Sequence, residues 1–194
     1  MQTSQNADEI QRIDSSPSSD IRENSNVIAF PESTLVRVDR ATIDLDCFFA
    51  NEVTKGWTII HTEPRSLLID YFDLATLETP TCTADDEDRL SLDERMLRME
   101  LDGFIPLDAY AFVAMWEKQE LFPEVWKDDI RGWWAFHFIA GSRFIDPSGN
   151  DYMLSIRYRV NAWEYTFRRA WHGLADMHPS STMLAIREGQ SFSL

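Results

Sequence analysis

Positive charge, glycine and cysteine are the three things this chain has little of. Lys and Arg number 18 against 33 Asp and Glu, which leaves a formal net charge of -15. So acidic a surface repels nucleic acid and anionic lipid, which excludes direct binding of double-stranded nucleic acid or a membrane and favours a basic protein partner. Glycine occurs seven times in 194 residues. No P-loop, G-x-G-x-x-G or G-x-S-x-G arrangement is formed, so phosphate-cradling loops and a hydrolase nucleophile elbow are excluded. The two cysteines are Cys47, in an apolar run, and Cys82, in a polar loop. That usage fits reduced thiols in a cytoplasm better than a disulfide framework.

No apolar run approaches the ~18 residues of a membrane span. The opening "MQTSQNADEIQRIDSSPSSDIRENSN" lacks the basic start and apolar centre of a signal peptide. Its Ser, Asn, Gln and Asp content predicts a disordered tail over Met1–Asn26. The remainder, 27–194, is long enough to bury a core as one domain, and seven tryptophans and twelve phenylalanines supply the apolar area. Charge is unevenly spread. Residues 1–130 hold 28 acids and 11 bases; residues 131–194 hold seven arginines, five acids and no lysine.

Periodicity changes along the chain. Val27–Phe30 reads as a short edge strand closed by Pro31. In "TLVRVDRATIDLD", Val36 and Val38 share one parity and Ile43 and Leu45 the other, which predicts a turn or bulge around Asp39–Arg40 between two short strands. Cys47–Val53 reads as a brief helix, "WTIIHT" as a strand, and "EPR" as a turn into "SLLIDYF", which reads as the return strand of a hairpin although Leu68, Tyr71 and Phe72 also suit a helix. Ser91-Leu92-Asp93-Glu94 has the form of a capping box and predicts a helix ending near Gly103. Asp108 is a second cap, ahead of a buried helix through "AYAFVAMWEKQELF".

From Gly132 the period falls to two. "WWAFHFIAG" is apolar on both faces, as a central strand is. "MLSIRYRV" and "WEYTFRR" alternate cleanly after the turn "DPSGND". The whole predicts an α+β fold: a single antiparallel sheet, the C-terminal meander, with two or three helices packed on one face.

Chemistry could sit in two places. Asp44 and Asp46, two apart on a strand, share a face in the manner hard divalent cations require, and Asp93 and Glu94 could complete the set. "IDLDCFFA" resembles the first metal-binding motif of Y-family translesion DNA polymerases, an Asp-x-Asp strand ahead of two bulky aromatics. "LSLDE" is similar to that family's second motif, Ser-x-Asp-Glu. The resemblance implies that Asp44, Asp93 and Glu94 hold two metals, with the Leu45 carbonyl assisting and Phe48 or Phe49 acting as sugar gate. It covers about a dozen residues. The interval between the motifs is shorter than the family's, no tyrosine–arginine pair or lysine is placed for a triphosphate, and an acidic segment is a poor DNA clamp. Local structure supplies another role for each group. Asp46 would cap the Cys47 helix, Phe48 and Phe49 would be core, and Ser91 with Glu94 would close a capping box.

The second place is the basic sheet. Arg157 and Arg159 share a face, which Arg168 joins across the hairpin, beside Trp133 or Trp171. Such a row can hold carboxylates, phosphates or single-stranded bases; the competing expectation pairs these arginines with the chain's own acids, Glu117 and Glu120 included. Of the histidines, His172 and His178 lie six apart with no cysteine pair to join them, which is no zinc pattern. His137 fits a hydrogen-bonded core or rim residue.

The leading expectation is therefore a small acidic α+β binding protein without catalysis or cofactor. It docks a basic protein surface in the way inhibitor, immunity or antidote proteins do, including by occupying a nucleic-acid site. Asp85, Asp86, Glu87, Asp88, Asp128 and Asp129 are expected to supply charge, and Trp126, Trp133 or Trp171 an anchor. The alternatives are a divalent-metal phosphoryl-transfer or nuclease-like enzyme using Asp44, Asp46, Asp93 and Glu94, and an anion-binding module using Arg157, Arg159 and Arg168.

Overall fold

The computed structural model describes residues 33–50, 54–83, 87, 90–127, 136–170 and 181–190. The expected tail and the Val27–Phe30 strand lie outside them. The chain divides into Met1–Glu32 and Ser33–Leu194, and the account below concerns the second unit.

In chain order the elements are β1 (Leu35–Arg37), α1 (Leu45–Phe48), β2 (Thr58–Thr62), β3 (Tyr71–Asp73), α2 (Leu92–Leu101), β4 (Phe104–Pro106) and α3 (Ala109–Trp116). Then follow β5 (His137–Ile145), β6 (Asp151–Arg159), β7 (Ala162–Arg169), β8 (Thr182–Met183) and β9 (Ala185–Arg187). The main sheet runs β2-β5-β6-β7, all antiparallel, with β8 parallel beside the start of β5. Two further pairs, β1-β3 and β4-β9, stand apart from it. The α+β class and the β5-β6-β7 meander hold. The single sheet is corrected to a five-stranded one plus two short pairs.

The helices are not confined to one face either. Ile139, Phe144, Leu154 and Ile156 cluster with Phe49, Phe112 and Met115. The alternate residues Phe138, Ala140 and Met153 cluster instead with Leu92, Met99 and Phe104. A strand apolar on both sides needs cover on both, so α1 and α3 occupy one face while α2 and β4 occupy the other.

Turn chemistry fixes the meander. Gly149 takes φ 82° in the β5–β6 turn, and the Asp146 carboxylate accepts from the amides of Ser148 and Asn150 at 2.9 and 2.8 Å. The β6–β7 turn is made by Val160 and Asn161, at φ 49° and 63°. A type I′ hairpin turn needs that left-handed pair, which Asn accepts readily and a β-branched Val adopts only with strain.

Three local expectations are corrected. The predicted strand at Ile43–Asp46 is the start of α1, because Asp44 accepts from the Cys47 amide at 2.9 Å and caps the turn. Asp44, not Asp46, is the cap. The "SLLIDYF" hairpin does not form. After Pro64 the chain makes a 3-10 turn, Ser66–Leu68, and β3 pairs with β1 while β2 pairs with β5. Fully buried Phe72 and buried Val36 face each other in that register, which drives the choice. At α2 the Ser91 hydroxyl accepts from the Glu94 amide at 3.2 Å, but Glu94 turns forward onto Arg98 at 3.0 Å rather than back.

Two arginines lock the interior. Arg40 donates to the carbonyls of Ile69 and Ser66, each at 2.7 Å, and to the Asp108 carboxylate at 3.0 Å. Asp108 is fully buried and caps α3 through the Ala111 amide at 2.8 Å. Arg95, also fully buried, donates to the carbonyls of Thr81 and Ser181. Burial pulls its pKa down.

Candidate functional site

An open cleft of about 1310 Å³ lies between the Ala41–Ala50 segment and residues 54–59. Local rules build its walls. The turn after Arg40 lets the Thr42 and Ile43 amides return to the Asp39 carbonyl, both at 3.1 Å. The Asp44 cap then starts α1 and points Phe49 inward, where it is 7% exposed. Phe49 meets Phe144 edge-on at 5.7 Å and Phe167 at 5.4 Å, and these three rings form the floor. Trp57 and Tyr110 stand at the sides, Trp57 5.0 Å from Phe167. The Arg40 guanidinium lies 5.8 Å from the Tyr110 ring.

Three charged groups line the cleft: the carboxylates of Asp44 and Asp46 and the ammonium of Lys55. Asp44, Asp46 and Lys55 are exposed. Among the described residues neither carboxylate meets a cation; Asp44 accepts only the capping amide. The arrangement is an aromatic trough with two carboxylates at one lip. It suits a group that is both flat or apolar and positively charged, such as an arginine side chain.

The metal constellation is not assembled. Among the described residues no three of His, Cys, Asp and Glu gather closely enough to hold an ion, and Asp44, Asp46, Asp93 and Glu94 are all described. Asp44 is occupied as a helix cap and Glu94 as the partner of Arg98. Phe48 and Phe49 belong to the core around Phe112 and Tyr165.

The expected docking residues fare unevenly. Asp85, Asp86, Asp88, Asp128, Asp129, Trp133 and Trp171 lie outside the described residues. Glu87 is held by Arg98 at 2.8 Å. Trp126 is 3% exposed and packs on Phe122 at 5.5 Å, so its ring is spent in the core and is not an anchor at the surface.

On the basic sheet the arginine row is interrupted. Arg157 pairs with Glu164, directly opposite on β7, at 3.0 Å. The partner is this cross-strand acid, not Glu117 or Glu120. Arg157 and Arg168 approach one ring, Phe136, at 5.5 and 4.4 Å, while Arg159 is exposed near the hairpin tip.

His137 is buried, with Nε2 donating to the Trp126 carbonyl at 3.0 Å and Nδ1 accepting from the Thr182 hydroxyl at 2.7 Å. That tautomer follows because a carbonyl can only accept. Desolvation holds its pKa below the ordinary 6.5, with the Trp126 bond opposing in part. It is a neutral core histidine.

Sequence reading located the Asp44–Asp46 lip but missed the trough. Trp57, Tyr110, Phe144 and Phe167 come from four distant stretches, and nothing local marks them as neighbours. The only signal was the unusual density of aromatics. Among the described residues no helix is long and apolar enough to cross a membrane. Comparison of the chain with protein-family models, with curated proteins and with solved structures returned no match.

Proposed function

We propose that the protein is a non-catalytic acidic binding module whose Asp44–Asp46 cleft receives a cationic side chain from a basic protein surface. The observation that carries this reading is the pair of carboxylates, without cation partners among the described residues, at the lip of an aromatic trough. Several other acids of the described fold are already engaged with cations: Glu78 with Arg187, Glu87 with Arg98, Asp108 with Arg40, and Asp151 with Arg143. A net charge of -15 steers a basic partner at long range, and the cleft supplies the short-range contact. Occupation of a partner's nucleic-acid site, as an inhibitor or antidote does, is the form this docking takes.

Affinity capture from the native host tests it. The full chain should retain a basic protein that moderate salt releases, because the attraction is screened over about 8–10 Å. Asp46→Lys combined with Asp44→Asn should abolish retention. The asparagine keeps a cap acceptor, so the fold is left standing. Retention that ignores both salt and these substitutions sinks the reading.

A further inference from the structure

The main sheet has two edges, β2 with the short β8 on one side and β7 on the other, and only the first is defended. β2 is five residues long, and its register against β5 shifts between Ile59 and His61. A bulge of that kind twists an edge away from further pairing. β7 is eight residues with an unbroken register against β6 from Ala162 to Arg169. It has no proline and no bulge, and among the described residues no strand lies beyond it.

We propose that β7 pairs antiparallel with β7 of a second copy of this chain, about a two-fold axis at Thr166. The backbone parity permits it. The two-residue turn makes Arg159–Ala162 the first pair, so alternate residues from Ala162 turn their backbone groups toward β6. The Ala170 amide, donating to the Asp151 carbonyl at 2.8 Å, continues the count. Trp163, Tyr165 and Phe167 then turn their N–H and C=O groups outward.

The side chains select the occupant. With Thr166 opposite Thr166, Glu164 of each copy faces Arg168 of the other, and Tyr165 faces Phe167. Residues on the Glu164 face fall at the close, non-hydrogen-bonded positions, where opposite charges interact best. Arg168 rests over Phe136 and, among the described residues, meets no carboxylate. Sliding the register by two residues sets Glu164 against Thr166 or Ala170 and loses both charge pairs. The half-buried rings of Trp163, Tyr165 and Phe167 form a row that a second identical row covers. A basic partner is the poorer fit, since β7 carries Arg168 and Arg169 against the one acid Glu164. Self-complementarity of this kind is what a closed two-fold contact requires. The axis stands perpendicular to the sheet, so the two clefts open on the same side.

Sedimentation of the full chain at micromolar concentrations should give twice the monomer mass. Arg168→Glu alone and Glu164→Arg alone should each give monomers, and mixing the two should restore a dimer of one copy of each. Should either variant fail to fold, cross-linking decides. In a Cys47→Ser, Cys82→Ser background, Thr166→Cys should form a covalent dimer on mild oxidation, whereas Arg168→Cys should link only to Glu164→Cys. A monomeric wild-type chain, or a dimer indifferent to the charge substitutions and not cross-linked at Thr166, overturns the proposal. A monomer that still retains a basic partner leaves the proposed function in place while removing the dimer.

Discussion

The meander and the segment from Arg37 to Thr62 are secured by different means. The meander pairs neighbours in sequence: β6 lies against β7 through eight consecutive partners across a two-residue turn. The Arg37–Thr62 segment is tied by groups from far along the chain. Arg40 reaches carbonyls 26 and 29 residues away and a carboxylate 68 away. Stability in the first region is spread over a ladder. In the second, ahead of β2, it is concentrated in a few atoms, and one wall of the cleft sits on that concentrated part.

The sharpest break in this contrast is at Gly141, in β5 at the register shift between Ile139 and Arg143, where the strand crosses the distant chain. A Cβ there would stand 2.5 Å from the Leu107 carbonyl oxygen. The two backbones are also joined by the Gly141 amide, which donates to that oxygen at 2.9 Å. Gly141→Ala should therefore cost upwards of ~4 kcal/mol in urea unfolding, or prevent folding. A loss below ~1 kcal/mol would show that the crossing yields.

Arg40→Ala comes next. It strands the buried Asp108 carboxylate and should cost about 3 kcal/mol by the same measurement. Arg40→Met with Asp108→Asn should recover part of that loss, since the asparagine still caps α3.

The pH profile sharpens the contrast further. His137 is held neutral, with a folded pKa below its ordinary 6.5. The unfolded chain takes up a proton that the native state refuses, so this share of stability is full above 6.5 and is lost as pH falls toward the folded pKa. His137→Gln should flatten that slope in thermal melts, whatever it does to absolute stability.

Inside the meander the effects should be small. Val160→Asn with Asn161→Gly relieves a β-branched residue in left-handed geometry and should raise stability by about 1 kcal/mol. A decrease would mean that Val160 contributes a contact outweighing its strain. Arg157→Ala should cost less than about 1 kcal/mol, because its pair with Glu164 lies near the surface.

The same contrast explains what could be read in advance. The meander, the Asp108 cap and the Ser91 cap were legible because each depends on residues a few positions apart. β8 and β9 were not, being two and three residues long and without a period of their own. The "SLLIDYF" return strand was misassigned because its partner is chosen by Phe72 burying against β1, which no local pattern records. At the candidate site, Asp44 and Asp46 were visible as carboxylates two apart. Their role was not, since capping geometry overrode the strand parity that had suggested a shared metal face. The aromatic trough depends wholly on long-range packing.

The two thiols offer a practical handle. Cys47 is exposed in α1, between residues that line the cleft, whereas Cys82 is half-buried, with desolvation raising its pKa. Alkylating reagents attack the thiolate, so near neutral pH a single equivalent of a maleimide dye should settle on Cys47 and leave Cys82 largely untouched. The wild-type chain thus carries its own labelling position beside the trough, where a fluorophore's brightness or polarisation can register an arriving molecule without any engineered residue.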